Sequence, residues 1–167
     1  YTITGLSQGA YTLTVTDNTG LTGTATKVIS VISYAAPQCV GASGSIMRQV
    51  WNNITGSYVP NLTASPNYPN SPSSTNYPTS FTGGAEIGDN YGTRFRGYII
   101  APTTGNYVFT TCSDDASVVY LSLNAEPAYK VQICSVPEWT NVAEFTKYPE
   151  QTSASIPLVA GRYYYVE

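Results

Sequence analysis

RFRGYIIAPTTGNYVFTTCSDDASVVYLSL, residues 94–123, decides how the rest of the chain is read. Tyr98-Ile99-Ile100-Ala101 is predicted to be a strand. Pro102-Thr103-Thr104-Gly105-Asn106 then reads as a turn, because proline presets φ and Gly and Asn tolerate positive φ. Tyr107-Val108-Phe109-Thr110-Thr111 is aromatic and β-branched, the composition of a second strand. Val118-Val119-Tyr120-Leu121-Ser122-Leu123 predicts a third. Between these last two lies Ser113-Asp114-Asp115. Two adjacent carboxylates at a strand end, on a chain with few charges, either cap a turn or hold a cation.

Working outward, the composition agrees with an all-β reading. Only 10% of the 167 residues are charged, and Tyr alone contributes 15. Thr, Ser and Asn fill the surface role, as on the strand faces of extracellular β-domains. No long segment carries a helical period. The net charge of −3 excludes a basic nucleic-acid footprint. There is no His, which removes the commonest general base and a common zinc ligand. No apolar run approaches the ~18 residues of a membrane-spanning helix, so no membrane insertion is expected in this segment. Tyr1 and Glu167 both read as mid-strand residues, so the chain is expected to be a fragment of a larger protein.

The three cysteines are Cys39, Cys112 and Cys134, an odd number that leaves one without a partner inside the chain. Cys112 precedes the acid pair and Cys134 ends a predicted strand over residues 129–134. A Cys112–Cys134 disulfide is favoured over two buried thiols, given the exported look of the chain. The partner of Cys39 is left open.

Residues 1–33 alternate, within a first segment expected to span 1–35. Tyr1-Thr2-Ile3-Thr4 and Tyr11-Thr12-Leu13-Thr14-Val15-Thr16 read as strands, Asp17-Asn18-Thr19-Gly20 as a hairpin turn, and residues 22–32 as a further strand. Three strands with one apolar face cannot close a core alone. The Leu6-x-x-Gly9-x-Tyr11 spacing resembles the tyrosine corner of immunoglobulin-like sandwiches, and the segment resembles tandem repeats of large bacterial surface adhesins. It is therefore expected to be the C-terminal part of an immunoglobulin-like repeat.

Residues 36–43 read as a linker, and a second domain is expected over 44–167. Ser45 to Trp51 predicts a strand with Trp51 in the core. Residues 56–83, rich in Pro, Asn, Ser, Thr and Tyr, are too long for a turn and predict an ordered surface loop anchored by Tyr58, Tyr68 and Tyr77, with glycan stacking the lesser reading of these tyrosines. Asn53-Ile54-Thr55 and Asn61-Leu62-Thr63 match the N-glycosylation sequon, a triplet that also arises by chance in Asn/Thr-rich sequence. Residues 137–151 look irregular. Pro157 suits a sheet edge.

Several motifs in order carry a resemblance. Ile46-x-Arg48-x-x-Trp51 opens the segment. Gly88-Asp89-x-Tyr91-Gly92-x-Arg94-x-Arg96-Gly97-Tyr98 follows, then Ala101-Pro102-x-x-Gly105-x-Tyr107-x-Phe109 and Ser113-Asp114-Asp115. Lys147-Tyr148-Pro149-x-Gln151 and Leu158-x-Ala160-Gly161-x-x-Tyr164-Tyr165 complete the set. From Gly44 onward the chain resembles the protective antigen 14 (PA14) family, whose fold is an antiparallel β-sandwich found in toxins, glycosidases and adhesins.

The resemblance implies a calcium site at Asp114 and Asp115, across a cis peptide, with vicinal sugar hydroxyls completing the oxygen shell a hard cation needs. The family's second calcium loop would follow Glu167, so calcium is expected chiefly in the intact domain. Cys112 and Cys134 stand where relatives carry small residues, which also points to their pairing. Trp139 and Tyr91, with Tyr148, are the candidate sugar-stacking residues. Arg94 and Arg96 share a strand face and are expected to pair with acids or pack on tyrosines.

Glycosidases need two carboxylates ~5–9 Å apart across a sugar. Asp114 and Asp115 belong to one turn, and Glu86, Glu126, Glu138, Glu144 and Glu150 are scattered. No Ser-His-Asp set exists. The expected function is a non-enzymatic, calcium-dependent carbohydrate-binding module of a bacterial, secreted or cell-surface adhesin, with glycans as partners. The alternative is a stalk or subunit of an extracellular fibre that contacts neighbouring copies and has no ligand.

Overall fold

A computed structural model describes residues 9–29, 42–83 and 88–167. The readings placed on Leu6, the linker at 36–41, Cys39 and Glu86 lie outside these residues. The chain divides into two compact units, residues 1–36 and 37–167.

In the first unit, β1 (Gly9–Thr16) pairs antiparallel with β2 (Thr22–Ile29), from Gly9 opposite Ile29 to Thr16 opposite Thr22. Asp17 makes the turn. One oxygen of its carboxylate accepts hydrogen bonds from the Thr19 amide (2.8 Å), the Thr19 hydroxyl (2.7 Å) and the Leu21 amide (3.0 Å). These bonds hold the Asp17 carboxyl below its ordinary pKa, because each favours the charged acceptor. Gly20 closes the turn at φ 85°, a value glycine adopts without a Cβ penalty.

The second unit contains β3 (Met47–Asn52), a short helix α1 (Val59–Thr63), β4 (Ser74–Asn76), β5 (Tyr91–Ile100), β6 (Gly105–Tyr107), β7 (Ser117–Leu121), β8 (Val131–Val136), β9 (Ile156–Leu158) and β10 (Tyr163–Val166). Six strands form an antiparallel sheet in the order β4-β3-β5-β10-β7-β8, and β6 pairs with β9 in a second sheet. The core lies between the sheets. Ala101, Leu121, Leu158, Tyr164 and Val166 are buried there, with Ile99, Phe109, Val119 and Ile156 packed against them. The period of two puts Tyr164 and Val166 inward, each fully buried apolar side chain stabilising by about 1.5–3 kcal/mol. Tyr165, on the opposite face, is also buried, and its hydroxyl donates to the Glu167 carboxylate at 2.6 Å. Burial and that neighbouring charge push the Tyr165 phenol up. Lys130 forms an ion pair with Glu167.

A second cluster comprises Trp51, Ile54 and Leu62, with Tyr68 against it. Trp51 is core, as expected, and its indole N–H donates to the Asn67 carbonyl at 3.1 Å. Arg94 covers the cluster, its guanidinium 5.5 Å from the Trp51 ring and 5.1 Å from the Tyr68 ring, and donates to Gln49 Oε1 at 2.6 Å. It thus packs on aromatics rather than pairing with an acid. The 56–83 segment is ordered through this contact, α1 and β4, over its described length. Of its tyrosines only Tyr68 is pinned, while Tyr58 and Tyr77 remain exposed.

Two expectations are corrected. Cys112 and Cys134 are free thiols, not a disulfide. Cys134 lies directly opposite Val119 in the β7–β8 ladder, and Cys112 belongs to no strand that pairs with β8. Burial raises the Cys134 thiol to about 11. The strand predicted at 107–111 pairs only as far as Tyr107. Beyond it the backbone leaves β9 and meets the chain at 151–152 instead.

Candidate functional site

The acid pair sits on a segment stitched to two others. Thr110 bridges Thr152, the Thr111 amide donates to the Gln151 carbonyl at 3.0 Å, and Gln151 Nε2 returns a bond to the Thr111 carbonyl at 2.8 Å. Thr140 takes over two residues on, at Ser113. Its amide donates to the Ser113 carbonyl at 2.7 Å, and its hydroxyl oxygen accepts from the Ser113 amide at 2.9 Å. Asp114 bridges Trp139. The Ala116 amide donates to the Ser57 carbonyl at 3.1 Å, tying the far end of the acid pair to the start of α1. The Asp114–Asp115 peptide bond is cis.

Both acids are exposed, and no described residue hydrogen-bonds or ion-pairs with either carboxylate. The contrast with Asp17 is direct, since that carboxylate is used up by its own turn. Asp115 lines an open depression of about 190 Å³ together with Ser57, Tyr58, Glu138 and Trp139. Trp139 is 45% exposed. Lys147 lies over its ring, Nζ 3.2 Å from the centroid, and donates to the Trp139 carbonyl at 2.8 Å. Tyr148 donates to Glu138 at 3.3 Å, from outside the depression.

The structure therefore brings Asp115 and Trp139 together, with Asp114 bridged to Trp139, and does not bring Tyr91 there. Tyr91 opens β5 opposite Asn52 in the β3–β5 ladder. Sequence reasoning missed Ser57 and the grouping of Glu138 with Asp115, and ranked glycan stacking by Tyr58 below loop anchoring. Only adjacency to Trp139 could have flagged Glu138. Nothing local flags Ser57, whose link to Ala116 spans 59 positions (116 − 57).

The donor set facing the depression is oxygen only, the kind a hard divalent cation takes. Among the described residues no three His, Cys, Asp or Glu side chains are grouped closely enough to hold a metal ion. Two carboxylates on one turn are a partial shell, to which water and a hydroxylated ligand can add oxygens. Among the described residues, no helix is long and apolar enough to cross a membrane.

Comparison with known proteins adds the following. Residues 41–167 match the family model of the PA14 domain. The mouse N-acetyl-beta-glucosaminyl-glycoprotein 4-beta-N-acetylgalactosaminyltransferase 1 is 40% identical over 82 residues, 47% of this chain and 8% of that protein. Dog fibrocystin is 28% identical over 87 residues, and human fibrocystin-L 33% identical over 79, each covering about half of this chain and 2% of the relative. The chain thus spans only a small part of the curated relatives it matches. No solved structure matches. The transferase corrects the expectation of a non-enzymatic protein, because a segment 40% identical to this one is part of an enzyme. The missing His and triad describe 167 residues, and catalytic groups in such a relative have the other nine-tenths of its length to occupy.

Proposed function

This chain belongs to the PA14 domain family, and we propose that its second unit binds carbohydrate through calcium held at Asp114 and Asp115, in an extracellular or cell-surface protein. The observation that carries the reading is the pair of exposed carboxylates with no described protein partner, beside a depression flanked by Trp139 and Tyr58. A bound calcium supplies a Lewis-acidic centre that sugar hydroxyls can join. The chain's own residues do the rest. The Ser113–Thr140, Asp114–Trp139 and Ala116–Ser57 contacts hold the acid pair in place before ligand arrives, which lowers the ordering cost of binding. Trp139 offers a sugar the ring face that Lys147 leaves free, and Tyr58 an exposed second wall.

Sugar-related chemistry in the name of the transferase relative supports a carbohydrate ligand, here as a binding role beside whatever activity the whole protein has. The relatives compared are mammalian proteins, so the likeness of residues 1–35 to adhesin repeats assigns no bacterial source. Within the proposal, those residues are the end of an immunoglobulin-like repeat that spaces the binding unit.

The test is a glycan-array screen of the protein with calcium and again with chelator, alongside Asp114→Asn and Asp115→Asn. Calcium-dependent binding lost in either variant, with tryptophan fluorescence unchanged, supports the reading. Binding that ignores chelator overturns the calcium site. No binding by folded protein in either condition leaves the stalk or fibre role.

A further inference from the structure

Two sequons lie within nine residues of each other, and the fold treats them differently. Asn53 follows β3 at φ 59°, in the left-handed region. Asn53 and Thr55 are exposed, and no described residue hydrogen-bonds to either side chain. Ile54 between them is buried in the Trp51 cluster, and its amide donates to the Asn90 carbonyl at 2.8 Å. The triplet is therefore anchored at its middle residue and open at both reactive ones.

Asn61 is also exposed, but its carboxamide is engaged. It caps α1, Oδ1 accepting from the Tyr58 amide at 2.9 Å. The group lies flat over Gly56, where an added Cβ would meet Asn61 Oδ1 at 2.6 Å and Nδ2 at 2.8 Å. The Thr63 hydroxyl, within the same helix, donates to the Pro60 carbonyl at 3.4 Å. An Asn-x-Thr triplet wound into a helix cannot offer its amide and hydroxyl as a turn does.

We propose that Asn53 is an N-glycosylation site of this protein and that Asn61 is not. This rests on the extracellular reading given above. The co-reactant is a lipid-linked oligosaccharide diphosphate. The Asn53 Nδ2–C1 bond forms as the C1–O bond to the diphosphate breaks, the lipid diphosphate leaves, and the amide proton passes to the transferase's base. The Thr55 hydroxyl belongs to the recognised triplet. The first sugar would sit at the mouth of an open depression of about 350 Å³, lined by Asn53, Thr55, Pro60, Asn61, Ala64 and Pro66. Four residues further on, Ser57 and Tyr58 line the depression beside Asp115. The glycan is thus covalently tethered near one wall of the proposed sugar site.

The experiment secretes the chain from an animal cell line behind a foreign leader, so that the native route of the protein does not enter. Intact mass is read before and after enzymatic removal of N-glycans. One glycan is expected per chain, absent in Asn53→Gly, which keeps the left-handed φ, absent in Thr55→Ala, and retained in Asn61→Gln. The inference is overturned by secreted wild-type protein carrying no glycan, by two glycans, or by a glycan that survives in Asn53→Gly and Thr55→Ala. Tryptophan fluorescence of each variant identifies any that fails to fold, and the other then decides. Sugar binding on the array is read separately, so failure of the calcium site leaves this result intact.

Discussion

Gln151 is fully buried, and its carboxamide holds three backbone groups at once. Nε2 donates to the Thr111 carbonyl at 2.8 Å and the Glu144 carbonyl at 2.6 Å, and Oε1 accepts from the Tyr148 amide at 2.8 Å. It therefore joins the segment that leads into the acid pair to the irregular loop that carries Trp139. Gln151→Leu keeps the bulk and removes all three bonds. A buried polar group left unpaired costs about 1–3 kcal/mol, and half-buried Glu144 and Tyr148 recover part of that from water. The added apolar burial of leucine offsets roughly 1–2 kcal/mol. A net loss of about 2–4 kcal/mol is expected, which is a Tm lower by roughly 10 °C. In urea the midpoint falls by roughly 1–2 M at a slope near 2 kcal/mol/M. Both tryptophans, Trp51 and Trp139, lie in residues 37–167, so their fluorescence follows that unit alone. Gln151→Glu separates hydrogen bonding from shape. It keeps the acceptor for Tyr148 but sets a carboxylate against two carbonyl oxygens. That raises its folded pKa, so its penalty is absent below the unfolded value of ~4.3 and grows as pH rises through it. A Gln151→Leu loss below about 1 kcal/mol, or a Gln151→Glu penalty that does not grow with pH, would refute this account.

Other expectations follow from single contacts. Gly92→Ala places a Cβ 2.7 Å from Leu62 Cδ1 and 3.0 Å from its Cβ, and the clash should destabilise by about 1–3 kcal/mol in the same urea assay. In Cys39→Ser protein, a thiol reagent at pH 8 should label Cys112 quickly and Cys134 only on unfolding, since burial keeps Cys134 protonated; reductant should leave the urea midpoint unchanged. Asp17 has a depressed folded pKa, so its turn is intact above the unfolded value near 3.8 and loosens as pH falls through the lower folded one. The Thr19 and Leu21 amide resonances, followed by NMR from pH 5 to 2, should shift together, and Asp17→Ala should abolish the shift. Trp139→Ala should weaken sugar binding at least tenfold while leaving calcium affinity within twofold, read by array and by calcium titration.

Local chemistry made much of the fold legible. Pro102 to Thr104 turns the chain, with Gly105 and Asn106 already in β6, the alternation of Tyr163 to Val166 puts Tyr164 and Val166 inside, and Trp51 is core because the alternation of β3 buries Met47, Gln49 and Trp51 on one face. Pairing over distance was not legible. Thr110 and Thr111 have full strand propensity, yet Thr152 and Gln151 take their backbone groups, a competition that propensity does not record. The disulfide failed for the same reason: neighbours along the sequence were read as neighbours across the sheet, while Cys134 faces Val119. At the site, residue type exposed Asp114, Asp115 and Trp139. That Tyr91 lies outside the Asp115 depression and that Ser57 lines it could not be read locally, because both depend on which strand ends meet.

β10 runs between β5 and β7. During synthesis, every residue of the proposed site leaves the ribosome before that strand does. Until residues 163–166 emerge, the large sheet can exist only as two separate pieces, β4-β3-β5 and β7-β8, each with an open inner border and an exposed half of the Leu121–Val166 core. The nascent sheet therefore carries two open borders until that four-residue strand joins them. Closure is a late, long-range event, slow by contact order and sensitive to chaperone supply. Tyr164 and Val166 should therefore govern how much folded protein accumulates, a role separate from the one proposed for Asp114 and Asp115.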